Sequence, residues 1–311
     1  MAGLRNIFLP EASTRPALAC EIRTEGVAAA RTSTEKRGHS ETVVAWAPLP
    51  ESALLPSLKT PNVLDRPAVL AALQSALSAV SPRDRALTLV VPDAAVRVLL
   101  LDFDTLPAKR QEALPVVRFR LRKMVPFDIE AASVSYQIMS QKAGQVSVLV
   151  TVMPGDVLAE YEGLARELEY EPGAVLPSTL AVAAGLGHSG SALLVNQSRF
   201  AVTTSVTMDD EMLLHRTVDL SRDQPIDSPA RSEEMAQAVI TTLAWYEDTL
   251  HSAPGVIFYA GPGGARAAAE SPWFRFVEPA PPIEDISSAA ASALTTIPDG
   301  LSAGVLGALA Q

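Results

Sequence analysis

The stretch Ala86-Leu-Thr-Leu-Val-Val-Pro-Asp-Ala-Ala-Val-Arg-Val-Leu-Leu-Leu-Asp102, continued through the corner Val125-Pro-Phe-Asp128 to Ser133-Val-Ser-Tyr-Gln-Ile-Met139, decides how this chain is read. Two β-type runs, 86–91 and 96–102, flank the turn pair Pro92-Asp93. A basic segment and the Pro-Phe corner follow, and 133–139 alternates as a half-buried strand does. Gln145 to Met153 gives a further strand, and Gly155 to Glu169 a helix with Leu158, Tyr161, Leu164 and Leu168 in phase. Residues 86–170 therefore read as a ββαββα unit. Pro115 lies inside its first helical segment and is expected either to break that helix or to begin a new one.

On the N-terminal side, Ala17 to Arg23 and Val27 to Thr32 form a hairpin, and Glu41 to Ala47 extends it to a meander. A Pro-rich connection leads to Asp65, a helix N-cap, and to Val69, Leu73 and Leu77 on one helical face. Strands followed by a covering helix indicate a layered α/β domain. On the C-terminal side, Ala192 to Asn196, Phe200 to Thr207 and Met212 to Asp219 repeat the meander. Placing Glu21 on Asn196 superimposes Leu18-Ala-Cys-Glu-Ile on Leu193-Leu-Val-Asn-Gln, a weak internal repeat. A helix over 232–252 carries Met235, Val239, Leu243, Tyr246 and Leu250 on one stripe, and the strand 256–259 runs into Ala260-Gly-Pro-Gly-Gly264.

Composition narrows the class. The chain has 311 residues, 48% of them apolar, enough for two buried cores. A net charge of −10 argues against a general nucleic-acid footprint. The single Cys20 has no internal disulfide partner and reads as a small buried hydrophobe, and the N-terminus lacks a signal-peptide core, so a reducing cytoplasm is expected. The longest uncharged run, 172–198 with His188 neutral, is diluted by Pro177 and four glycines. It reads as a short buried helix from Ser178 to about Leu186, with no membrane span.

The insertion-like unit, the run Leu243-Ala-Trp-Tyr-Glu247, the Gly261–Gly264 loop and the closing Leu306-Gly-Ala-Leu309 together resemble the PilM family, actin-like cytoplasmic proteins of type IV pilus assembly. The resemblance spans Pro16 to Gln311. It implies an α/β, actin-like fold of duplicated ribonuclease-H-like domains with an inserted ββαββα subdomain: 16–85 plus 171–189 as the first domain, 86–170 as the insertion and 190–311 as the second. It implies a scaffold of the inner-membrane platform, peripheral to that membrane, that binds the cytoplasmic N-terminal tail of a single-span PilN-type protein in a groove between first domain and insertion and contacts platform and motor proteins. A platform component of type II secretion, of the GspL kind, is an alternative, disfavoured because no span follows residue 250.

The resemblance also locates a nucleotide cleft of two phosphate hairpins and a Gly-rich adenosine loop. The hairpins need an Asp to organise Mg²⁺ and a Gly to let backbone N–H groups approach phosphate. This chain offers Glu21-Ile-Arg23 and Asn196-Gln-Ser198, so both hairpins depart from Asp-x-Gly. Gly261, Gly263 and Gly264 keep the adenosine-type loop, which reads first as a structural turn and second as an anion site. No cofactor is expected and hydrolysis is not, which makes the chain a pseudo-ATPase. ATP with Mg²⁺ is the alternative, and Arg23 reads as a solvated hairpin residue ahead of a replacement for Mg²⁺ charge.

Other chemistry is not supported by spacing. His39, His188, His215 and His251 are scattered without zinc-ligand pairing. Gly187-His-Ser-Gly190 resembles a nucleophile elbow but follows a helix and ends in Ser191 where the motif has Gly. Asp102 with Asp104, and Asp209-Asp210-Glu211, read as turns. From Lys109 to Lys123 six bases stand against Glu112 alone, a local +5 that is either a solvated helix face or a contact for anionic headgroups or an acidic partner.

Overall fold

The computed structural model describes residues 15–34, 40–82, 84–142, 144–186, 190–209, 211–225, 228–277, 280–286 and 291–310. The chain opens with β1 (Leu18–Ile22), β2 (Gly26–Thr34) and β3 (Ser40–Pro48), an antiparallel meander. All five residues of β1 are buried, as expected of a central strand covered on both faces. Asp65 caps α1 (Arg66–Val80) by accepting from the Ala68 N–H at 3.0 Å, and Val69, Leu73 and Leu77 are buried. The strand β4 (Ala86–Val91) follows and pairs parallel with β1.

The chain then leaves this sheet for β5 (Arg97–Phe103), α2 (Arg110–Leu121), β6 (Ala132–Lys142) and β7 (Gln145–Pro154), and returns through α3 (Gly155–Glu167) to β8 (Glu171–Pro177) and α4 (Ser178–Gly185). The insertion's sheet is three-stranded, in the order β5-β7-β6. Ala113, Val117 and Leu121 of α2 are buried against Val134, Tyr136, Val148 and Val150 on one of its faces. That burial carries α2 unbroken through Pro115, where a break or restart was expected. Tertiary packing outweighs the lost N–H. Ala86–Val91, expected to open the insertion, instead lies between β1 and β8 in the first domain's sheet. A short apolar run does not reveal which sheet it joins.

The second half holds β9 (Ser191–Ser198), β10 (Ala201–Met208), β11 (Glu211–Asp219), α5 (Pro229–Leu250), β12 (Ile257–Ala260), α6 (Gly264–Glu270), β13 (Ile283–Asp285), β14 (Ala291–Ala293) and α7 (Ala303–Ala308). Its sheet runs β11-β10-β9-β12-β13, with the meander antiparallel and β12 and β13 parallel. The first sheet runs β14-β3-β2-β1-β4-β8. Apart from β14, the two sheets share one topology, which is the duplication of an actin-like fold. Glu21 faces Ala28 and Asn196 faces Thr203, so the two occupy equivalent hairpin positions, as the internal repeat implied.

A second boundary is corrected as well. Residues 190–311 were expected to form the second domain alone, but β14 pairs with β3, and α7 packs on α4 in the first domain. These elements are three and six residues long, too short for periodicity to assign. Among the described residues no helix is long and apolar enough to cross a membrane.

Candidate functional site

The two phosphate-type hairpins meet where the sheets face each other, and a guanidinium fills the space between them. Arg23 is 4% exposed. It donates to Glu21 Oε1 at 3.1 Å, to Ser178 Oγ at 3.3 Å, to Asn196 Oδ1 at 3.5 Å and to the Gln197 carbonyl at 2.7 Å. The Arg199 N–H at the second hairpin's tip donates to Glu25 Oε1 on the first at 2.6 Å. The reading of Arg23 as a solvated residue is therefore overturned. A chain position beside two buried carboxylates holds the side chain inside.

Glu21 joins three elements. It accepts from Arg23, from Ser178 Oγ–H at 2.6 Å and from the Val305 N–H at 3.0 Å. Asn196 donates to Asp93 Oδ2 at 3.2 Å, Ser178 Oγ at 3.0 Å and Thr179 Oγ1 at 2.9 Å. Asp93 also accepts from the Thr179 N–H at 3.0 Å and its hydroxyl at 2.5 Å. Burial pushes the Glu21 and Asp93 carboxyls above the usual carboxylate range, against the pull of Arg23 and their hydroxyl donors. For Arg23, burial alone would lower the guanidinium, but Glu21 and Glu25 outweigh it and hold it above its ordinary value. Asp93, Ser178 and Thr179 were missed as site residues. In sequence, Pro92-Asp93 and Pro177-Ser178 are only turn and helix-start signals.

This arrangement does not fit Mg-ATP. Ser198 donates to the Ala201 carbonyl and lines, with Asp93, Asn196 and Thr203, a residual cavity of about 20 Å³, room for a water molecule and no more. The Gly-rich loop is filled by its own chain: Gly261 N–H donates to the Gly300 carbonyl at 3.1 Å, and the Ala265 N–H donates to Asp285 Oδ1 at 2.7 Å. Gly263 and Gly264 adopt φ of 78° and 67°, so the loop needs its glycines for its own turn. Among the described residues no group of three or more His, Cys, Asp or Glu side chains is placed to hold a metal ion.

The remaining candidates disperse. His39, His188, Asp210 and the Gly187-His188-Ser189 part of the elbow-like motif lie outside the described residues. His251 is the left-handed C-cap of α5, and Asp102 and Asp104 are exposed. Asp209 Oδ1 accepts from the Gly190 N–H at 2.9 Å. Cys20 is buried in β1, and burial pushes its thiol up. The basic segment is partly engaged: Arg118 donates to the Ile129 and Ala132 carbonyls, Lys109 pairs with Glu112 and Arg122 with Glu130.

A groove of about 200 Å³ separates the first domain from the insertion. Gly173 and Val175 of β8 form one wall, Ser133 and Ser135 of β6 with Thr151 of β7 another, and Leu158 of α3 closes it. Both β8 and β6 are edge strands. Edge strands offer backbone groups for an added strand. Sequence reasoning missed β8, because Pro172, Gly173 and Pro177 read as breakers.

No family model matches the chain, and no curated protein matches it. Among solved structures, the chain is similar to a protein in the PilM-PilN type IV pilus biogenesis complex, with a TM-score of 0.74, 16% identity and coverage of 94% of this chain and 97% of that one. It is also similar to the cytoplasmic domain of EpsL, an inner membrane component of the type II secretion system of Vibrio cholerae, with a TM-score of 0.49, 13% identity and coverage of 94% and 92%. A Bacteroides thetaiotaomicron protein with an actin-like ATPase fold gives 0.46, 9% identity and coverage of 86% and 89%. The chain has the fold of the pilus protein.

Proposed function

We propose that this protein is a PilM-like scaffold of a membrane-bound pilus or secretion platform, and that it binds the extended cytoplasmic tail of a single-span, PilN-type inner-membrane protein. The observation that carries this reading is the groove between the edge strand β8 and the face of the insertion sheet that carries Ser133, Ser135 and Thr151. An extended tail laid there would exchange backbone hydrogen bonds with an edge strand and place alternate side chains against Val175 and Leu158. Likeness to a protein solved in a PilM-PilN complex supports the same partner class. By this reading the protein works at the cytoplasmic face of the inner membrane, through its partner.

In this proposal the cleft is structural. The Arg23 guanidinium takes the place that nucleotide and metal charge would hold, and ATP hydrolysis has no part. The test is an affinity pull-down from detergent-solubilised native membranes, followed by titration of the chain with a synthetic peptide of the captured protein's cytoplasmic tail. Recovery of a single-span protein whose tail peptide binds saturably supports the reading. Recovery of no membrane partner, or a tail peptide that does not bind, overturns it.

A further inference from the structure

Four cations from four separate segments converge on an open cavity of about 600 Å³. Lys59 comes from the connection after β3, Arg97 from the start of β5, Lys123 from the end of α2 and Arg222 from the chain after β11. All four are exposed, and none forms an ion pair among the described residues. Arg222 donates to the Pro56 carbonyl at 3.1 Å, and its guanidinium stands over the Phe200 ring, so its position is fixed. Two carboxylates share the lining. Asp93 is committed to Thr179 and Asn196, which leaves Asp219 alone to oppose four positive charges.

This concentration runs against the rest of the molecule, whose net charge is −10. Like charges gathered at one concavity repel each other, and Asp219 offsets only part of that repulsion. Two arginines add planar, bidentate donor forks that match phosphate oxygens, and two lysines add point charges. Leu58, Val96, Met124 and Pro126 supply apolar wall, so the ligand carries a non-ionic body as well as its charge. The volume falls in the range of small-molecule sites.

We propose that this cavity binds a phosphate-bearing anion, either a phospholipid headgroup or a soluble phosphate ester, through Lys59, Arg97, Lys123 and Arg222. The site touches the Arg23 cluster only through Asp93, and its lining shares only Val96 with the groove beside β8, so it does not depend on what occupies that groove.

Two arms test it with the full chain. Titration calorimetry with pyrophosphate probes the soluble ester, and co-sedimentation with phosphatidylglycerol–phosphatidylcholine vesicles, against pure phosphatidylcholine, probes the headgroup. Each arm compares the parent with Arg97→Glu/Lys123→Glu and with the control pair Lys142→Glu/Arg266→Glu, which changes net charge equally at exposed positions outside the cavity. The expected result is saturable binding in at least one arm, weakened roughly tenfold or more in the cavity pair and unchanged in the control. Pyrophosphate binding assigns a soluble ester, and vesicle binding alone assigns a headgroup. No binding in either arm, or equal loss in both pairs, overturns the proposal.

Discussion

Arg23 donates to the Gln197 carbonyl at 2.7 Å, a hydrogen bond between the tip of the first hairpin and the end of β9 in the second domain. Through it, and through Glu21 and Asn196, buried side chains bridge the two halves of the fold. Arg23→Ala would leave the Glu21 and Asp93 carboxyls buried without their counter-charge, a change that costs about 3–5 kcal/mol in comparable buried pairs. Denaturant unfolding should show that loss, with Arg23→Lys recovering part of it. An alanine variant as stable as the parent would show that the cluster does not hold the domains together.

Titration with Mg-ATP should give no saturable binding. Asn196 supplies no negative charge for a metal's water shell, the residual cavity is about 20 Å³, and the N-terminus of α6 already receives Asp285. Substituting Arg23→Gly opens space but leaves Asn196 and Asp285 in place, so binding should still be absent. Tight parental binding lost in Gly263→Val would contradict this account of the cleft.

The pH dependence has a separable contribution from His215. Its Nδ1 meets Ser205 Oγ at 3.0 Å, its Nε2 is buried without a hydrogen-bond partner among the described residues, and burial pushes the ring down to about 3. The folded chain therefore keeps this ring neutral at a pH where the unfolded chain protonates it. The stability it confers is complete above the ordinary histidine value near 6.5 and is lost as pH falls toward 3, with a limiting slope of about 1.4 kcal/mol per pH unit. Glu21 and Asp93, raised by burial, act in the opposite sense, favouring the fold as pH falls. The difference between parent and His215→Gln isolates the histidine: the parent should lose more stability between neutral pH and pH near 4, measured by urea midpoints.

Periodicity made most elements legible, because β1, β9 and α5 bury whole faces or stripes and the sequence records that burial directly. It could not place Ala86–Val91 in its sheet, since pairing partners are set by chain path and not by the strand's own residues. Breaker residues hid β8, the wall of the proposed peptide groove. The candidate hairpins were legible as departures from Asp-x-Gly, yet what replaces the missing groups was not. Asp93 and Thr179 are distant in sequence from Asn196 and meet it only through the fold.

The return of the C-terminus to the first domain depends on a contact without side chains. A Cβ on Gly307 would lie 2.0 Å from the Ala181 carbonyl oxygen, and one on Gly185 would lie 2.8 Å from the Gly307 Cα. Helices α4 and α7 therefore approach backbone to backbone. Gly307→Ala should force them apart at a cost of about 1–3 kcal/mol and expose the C-terminal segment to proteolysis before global unfolding. Unchanged stability and unchanged cleavage would show that α7 has another way to seat itself.

The proposed peptide groove makes a sharper demand, because one wall can be altered without touching the core. Ser133 is exposed on the edge strand β6 and lines the groove opposite Gly173 of β8. Ser133→Arg introduces a long charged side chain into a space of about 200 Å³, too small to hold both it and an extended chain. Exposed substitutions of this kind usually change stability by less than about 0.5 kcal/mol, so the unfolding midpoint should stay with the parent's. Affinity for the partner's tail peptide should fall roughly tenfold or more, the equivalent of losing one well-buried contact. Equal affinity in parent and variant would move the peptide site away from this groove even if the pull-down recovers the partner. Loss of affinity together with a lowered midpoint would leave folding as the cause, which Ser133→Ala, smaller and still able to bind, distinguishes.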